Sequence, residues 1–150
     1  MEQPLNFYQI TSNIGTSGQP TREQFQQIAE QGYSSVVNLA MHDSDNAIPE
    51  EGNIVTSFGM SYFHVPVPFD KPRAEHLKKF IFLMNTLRGE KVFVHCAVNA
   101  RVSAFMYKYL TLAKGLDEES ATSPILKWWL PQMDSTWQSI MGLSADDVEL

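Results

Sequence analysis

The chain carries a single cysteine, Cys96, and five positions later an arginine, Arg101, with Ala97, Val98, Asn99 and Ala100 between them. A lone thiol excludes an internal disulfide and a multi-thiol zinc site, which leaves core filler or a reactive group. Its setting favours reactivity. Val92-Phe93-Val94-His95 reads as a buried strand, and the stripe Phe105, Met106, Tyr109, Leu110, Ala113 reads as a helix that starts near Val102 and closes at Gly115. Cys96 thus falls between the carboxyl end of a strand and a helix N-terminus. Unpaired N–H groups and about half a positive charge there favour an anion and a thiolate. Asn99 tolerates the left-handed backbone that curls successive amides inward, and Arg101 offers a planar fork for phosphate or sulfate oxygens. His95 is placed either to orient the loop by hydrogen bonding or to sit as a satisfied core histidine.

The elements that must hold this loop alternate along the chain. Phe7 to Ile10 and Ile14 to Thr16 read as short strands ended by Gly18-Gln19-Pro20. Thr21 and Gln24 have capping-box spacing ahead of a helix with Phe25, Ile28 and Ala29 inward and Gly32 as its stop. Ser35 to Leu39 is a brief, largely apolar run suited to a central parallel strand buried on both faces. Pro49 to Phe58 offers a helix stopped by Gly59, and Tyr62 to Val67 a strand. After Asp70 a helix carries Leu77, Phe80, Ile81, Met84 and Leu87 on one face. Ser123-Pro124 and Asp134 mark the starts of short terminal helices. Strands alternating with helices predict an α/β, three-layer fold with a mainly parallel central sheet, and ligands in such sheets bind at the carboxyl ends of the strands.

The 150 residues, 43% hydrophobic and 19% charged, suit one folded domain over residues 1–150 and are too apolar for disorder. A net charge of −6 gives no general attraction to nucleic acid or acidic membranes, so an anionic ligand must be captured locally. No stretch reaches the ~18 apolar residues of a membrane span, and Met1-Glu2-Gln3-Pro4 does not read as a leader. The cytoplasm is the expected compartment, and a periplasmic one is compatible with a leader already removed. His42, Asp43 and Asp45 lack an established ligand spacing and read as a solvated turn, so neither a metal nor another cofactor is expected. His64 and His76 read as incidental, and Trp128, Trp129 and Trp137 as packing of the terminal helices.

Val92-Phe93-Val94-His95-Cys96, followed by a short loop, Arg101 and Ser103, resembles the signature of cysteine-dependent tyrosine and dual-specificity phosphatases. Ser17-Gly18-Gln19-Pro20-Thr21, the strand ending Asn38-Leu39 and Tyr62 to Val67 extend the likeness. Together they resemble the bacterial phosphatase-like domain also found fused to β-lactamase-hydrolase-like proteins, over roughly residues 10 to 113. The resemblance implies a cysteine-phosphatase-like fold and hydrolysis of phosphate monoesters, protein phosphotyrosine or similar, through a phosphocysteine intermediate. It implies Cys96 as nucleophile and Asp70 as the acid that protonates the leaving oxygen. The amides of Ala97, Val98, Asn99, Ala100 and Arg101, with the Arg101 guanidinium, would hold the three non-bridging oxygens, and His95 and Ser103 would support the loop. The implied partner is a phosphorylated protein or a small phosphomonoester. Asp70 equally suits a helix cap ahead of Pro72.

The loop departs from that family in spacing, because such phosphatases keep five residues between cysteine and arginine and this chain has four. In a loop shortened by one, Arg101 still faces the anion and Val102 replaces the hydroxyl residue that normally follows. In a loop of full length, Ser103 keeps its place and Val102 takes the arginine position. One residue is about 3.8 Å of backbone, more than a fork contact tolerates. A six-residue cysteine loop also resembles single-domain rhodaneses, sulfurtransferases that carry sulfur as a cysteine persulfide. A third reading is a non-catalytic binder of phosphate or phosphoproteins. No lysine or second arginine lies in the loop, which favours monoesters over polyphosphorylated substrates.

Overall fold

Short strands bounded by turn residues build the sheet in the computed structural model, which describes residues 2–150. They are β1 (Tyr8–Thr11), β2 (Ile14–Ser17), β3 (Ser35–Asn38), β4 (Ser61–His64) and β5 (Val92–His95). The order is β1-β2-β5-β3-β4, with β1 antiparallel to β2 and every other pair parallel. The mainly parallel α/β sheet read from the sequence is the one observed, with β5 in the middle. His95 pairs with Ser17 on one side and Asn38 on the other, so three strands end level around it.

Four helices connect the parallel strands or leave the last of them: α1 (Arg22–Glu30), α2 (Glu51–Ser57), α3 (Ala74–Thr86) and α4 (Ala100–Leu112). Then come α5 (Glu118–Ala121), α6 (Pro124–Trp129) and α7 (Ser135–Met141), with single-turn 3-10 helices at Leu130–Gln132 and Asp146–Val148. Local signals start these helices where expected. Thr21 accepts from the Gln24 amide at 3.1 Å while Gln24 Oε1 accepts from the Thr21 amide at 2.9 Å, and the Ser123 and Asp134 side chains cap α6 and α7.

The period-two alternation of strands divides the core into two layers. Phe25 and Ile28 of α1, Val55 of α2, Val36 and Phe93 pack on one face. On the other, Val37, Val92, Val94 and Cys96 meet Leu77, Phe80, Ile81 and Met84 of α3, Val102, Phe105 and Met106 of α4, and Leu126, Trp137 and Ile140 of the terminal helices. Helices therefore leave β5 and its neighbours β2 and β3 toward opposite faces, and Cys96 lies at the carboxyl ends of these strands, where open α/β sheets bind their ligands.

Three expectations need correction. The strand begun at Tyr62 ends at His64 rather than Val67: the Val65 and Val67 amides still donate to Asn38 and Leu39, but Pro66 and Pro68 have no N–H to continue the ladder. Helix α4 begins at Ala100, not near Val102. Of the three tryptophans, Trp137 is buried in the core, Trp129 packs against it partway and Trp128 is 68% exposed, so terminal-helix packing accounts for only two.

Candidate active site

Alternation sends the Cys96 side chain to the α3/α4 layer and the His95 ring to the α1/α2 layer, edge-on to Phe25. Beyond the buried Cys96, the chain's carbonyls are bonded outward. Ala97 O accepts from the Gln19 amide and from Asn46 Nδ2, both at 3.0 Å, and Val98 O accepts from Asn6 Nδ2 at 2.9 Å. Asn99 takes a left-handed conformation, φ 72°, as the N-cap of α4. Its Nδ2 donates to Asn6 O at 2.8 Å and to Thr16 Oγ1 at 3.3 Å. The first helical bond runs from the Ser103 amide to Asn99 O at 3.0 Å. Among the described residues no acceptor meets the backbone N–H groups of residues 97–102. Carbonyls held outward and consecutive free amides at a helix start have the form of an anion nest. Gly18 packs against its back, where a Cβ would stand 2.5 Å from Ala97 O.

Arg101 is the second residue of α4, and its side chain is directed to the segment that follows β4. One guanidinium nitrogen donates to Val67 O at 2.9 Å, and the group lies over the Phe69 ring at 5.9 Å. Phe69 O in turn accepts from Trp137 Nε1 at 2.8 Å. The segment is thus tied at two carbonyls just ahead of Asp70, which is exposed in a bend. Asp70 does not cap α3: the cap is Arg73, whose amide donates to His76 Nδ1 at 3.0 Å. Val102 is fully buried in the α3/α4 layer, and the Ser103 hydroxyl donates to Ala100 O at 2.6 Å.

Behind the loop lies a polar network. His95 Nε2 meets Glu51 Oε2 of α2 at 2.6 Å, and Nδ1 meets Cys96 O at 3.1 Å. Gln19 Nε2 donates to Glu51 Oε1 at 2.7 Å, and Asn38 Nδ2 donates to Tyr62 OH at 3.0 Å. Burial pushes the Glu51 carboxyl up, but the hydrogen bond and charge of His95, together with bonds from Gln19 and Tyr62, outweigh it and hold the group below its ordinary value. Tyr62 is pushed up to about 12, by burial and then by the Glu51 charge, against the bond from Asn38.

Residues 9–128 match the family model described as "DSP-PTPase phosphatase fused to NAD+ Kinase". The chain belongs to this DSP-PTPase family. Among solved structures, a DUF442 protein of Shewanella putrefaciens assigned as a phosphatase is 31% identical, with a TM-score of 0.83 over 92% of this chain and 89% of that one. The catalytic core of the PP-IP phosphatase Siw14 from S. cerevisiae is similar in fold at 17% identity and a TM-score of 0.75, covering 99% of this chain and 91% of that one. So is TpbA from P. aeruginosa, solved in complex with pTyr, at 17% identity and a TM-score of 0.63 over 95% and 78% of the two chains. No curated protein matches the chain in sequence. These comparisons support a DSP-PTPase-like hydrolase and give the sulfurtransferase alternative no support.

The structure brings His95, Cys96, residues 97–100, Arg101 and Ser103 together at one strand end, and places Asp70 after the segment that Arg101 holds. Sequence reading missed Glu51, Gln19, Asn6 and Asn46. Glu51 looks like an ordinary first-turn acid, and only the alternation that turns His95 away from Cys96 hints that α2 must supply a partner. His64, read as incidental, donates from Nε2 to Ala40 O at 2.7 Å, and His76, read likewise, accepts from the amide of the α3 cap residue Arg73. Among the described residues no group of three or more His, Cys, Asp or Glu could hold a metal ion, and no helix is long and apolar enough to cross a membrane.

Proposed function

We propose that the chain hydrolyses phosphate monoesters through a phosphocysteine intermediate on Cys96. The observation that carries this reading is the run of unpartnered amides at residues 97–102 immediately after the only thiol. Three non-bridging phosphoryl oxygens need several convergent donors, and such a nest with a helix N-terminus supplies them without reorganisation. The Cys96 thiolate attacks phosphorus as the ester P–O bond breaks, and Asp70 gives its proton to the departing oxygen. Water then attacks phosphorus as the S–P bond breaks, the Asp70 carboxylate taking the water's proton, so that phosphate and the Cys96 thiolate are released.

Arg101 supports the shorter-loop register. Val102, one position on, is buried in the core, whereas the Arg101 fork spends one N–H on Val67 O and keeps others for the phosphoryl oxygens. The same residue then joins the anion nest to the segment bearing Asp70. Arg101 is the only basic side chain between residues 96 and 107, which fits one phosphoryl group, as in protein phosphotyrosine, rather than a polyphosphate. The pTyr seen with TpbA accords with that class of substrate.

The test is turnover of aryl phosphates with leaving groups of graded acidity. Asp70→Asn should slow esters of poor leaving groups far more than activated ones, because only the former need the proton, and Cys96→Ser should abolish turnover of both. Equal slowing across the series would remove Asp70 from its role. Conversion of thiosulfate and cyanide without ester hydrolysis would replace the reaction altogether.

A further inference from the structure

Opposite the cysteine loop, at the amino ends of β2 and β5, lies a cleft of about 220 Å3 between the β1–β2 turn and the carboxyl ends of α3 and α4. Its walls follow from where the elements stop. Ile14 and Val92 are the first residues of their strands, and Leu87 and Leu116 follow the two helices, so the apolar surface is that of the core at its edge. Tyr109 of α4 reaches this cleft from inside: its ring stands edge-on to Phe80 at 6.3 Å, and the residue is 2% exposed. Its hydroxyl bonds to no group among the described residues, yet the one side-chain polar atom there that is sealed off without a partner is Asn99 Oδ1. The Tyr109 hydroxyl is therefore open to the cleft. Burial pushes the phenol above its ordinary pKa, against the nearby charge of Arg88, so at neutral pH it is a donor without an acceptor.

Charge at the rim points to what that acceptor is. Arg88 and Lys114 line the cleft and form no ion pair among the described residues. The carboxylate that lines it, Glu90, spends Oε1 on the hydroxyls of Ser34 and Ser35, at 2.8 and 2.7 Å. Cations at the carboxyl ends of helices ordinarily offset the helix dipoles. That use needs neither a cleft between them nor a buried hydroxyl facing it. Terminal carbonyls here also accept from the closing turns, Leu83 O from the Leu87 amide at 3.0 Å and Leu110 O from the Leu116 amide at 2.9 Å. We infer that this cleft is a second ligand site, which takes a small carboxylate with an apolar body. The carboxylate accepts from the Tyr109 hydroxyl and pairs with Arg88, and the apolar body lies against Ile14, Leu87, Val92 and Leu116. The volume is below the roughly 300 Å3 at which pockets for drug-sized ligands begin, which limits that body to about a single ring. The four residues of β5, about 13 Å of chain, separate the cleft from Cys96, so the site stands independently of the reaction proposed at the loop.

The experiment titrates the full 15N-labelled chain with sodium benzoate at constant ionic strength and about pH 7, where the carboxylate is ionised and Arg88 is charged. A ligand this small should bind with a Kd of about 1 mM, read from saturable shifts of the Gly89 and Leu116 amides. Tyr109→Phe removes the hydroxyl and Arg88→Gln the charge, and each should raise that Kd about tenfold. Benzamide, of the same shape without the charge, should bind at least about tenfold more weakly than benzoate. Tyr109→Phe keeps the buried ring and Arg88 lies on the surface, so both variants fold, which their spectra verify. Shifts that do not saturate, shifts confined to residues 97–102, an unchanged Kd in either variant, or benzamide binding as well as benzoate would overturn the inference. Cys96→Ser should bind benzoate as the wild type does, so failure of the proposed reaction and failure of this site are read separately.

Discussion

Replacing Asn99 by alanine and by glycine separates two contributions to the cysteine loop. Asn99 sits at φ 72°, a conformation that costs an alanine about 1–2 kcal/mol and glycine almost nothing. Both variants lose the Nδ2 bonds to Asn6 O and Thr16 Oγ1, together about 2 kcal/mol. Both also remove Oδ1, a buried acceptor with no partner among the described residues, which returns about 1 kcal/mol. Asn99→Ala should therefore cost about 2–3 kcal/mol and Asn99→Gly about 1, the greater chain freedom of glycine narrowing the gap to about 1 kcal/mol. Urea unfolding followed by tryptophan fluorescence measures it: with m near 2 kcal/mol per molar, the alanine midpoint should lie about 0.5 M below the glycine one. Phosphate binding should survive in the glycine variant and weaken in the alanine one, because only alanine resists the turn that faces the amides inward. An alanine variant as stable as the glycine one would refute the claim that the left-handed residue shapes the nest.

Gly18→Ala should destabilise by about 2–3 kcal/mol in the same assay, since its Cβ would meet the backbone of Ala97 and Val98 at 2.5 and 2.9 Å, atoms that cannot swing aside. Trp137→Phe keeps most of the buried ring but drops the bond to Phe69 O, so it should cost about 1–2 kcal/mol in unfolding. It should also slow poor leaving groups preferentially by loosening the Asp70 segment. The Glu51 carboxyl lies below its ordinary 4.5 in the folded chain, so the unfolded chain takes up protons first on acidification. Its contribution is therefore complete above about pH 4.5 and lost as pH falls through the lower folded value, and urea midpoints measured down the pH scale should fall more steeply for the wild type than for Glu51→Gln.

The fold was largely legible because its signals are local. Val92 to His95 announced a buried strand, the Thr21 and Gln24 pair announced a helix start, and the stripe through Phe105 and Tyr109 announced α4. The cysteine loop was legible for the same reason, its residues being consecutive. What stayed hidden depends on contacts far apart in sequence. Glu51 reaches His95 from 44 positions away, and Asn6 reaches Val98 from 92, pairings that no periodicity encodes. The start of α4 was misplaced by two residues because Ala100 and Arg101 carry no cap of their own, and the positive φ of Asn99 alone turns the chain into the helix. Asp70 looked equally like a cap, since an aspartate near Pro72 suits one; packing instead lets the chain run on to Arg73 before α3 begins.

The central claim, that Cys96 attacks phosphorus from within the nest of residues 97–102, is tested most directly by intact mass spectrometry of protein quenched in acid during turnover of an aryl phosphate. The account predicts a single phosphoryl adduct that maps to the peptide bearing Cys96, accumulates in Asp70→Asn where its hydrolysis is slowed, and is absent from Cys96→Ala. Steady release of phosphate with no adduct on Cys96 in either the wild type or Asp70→Asn, or an adduct on another residue, would contradict it.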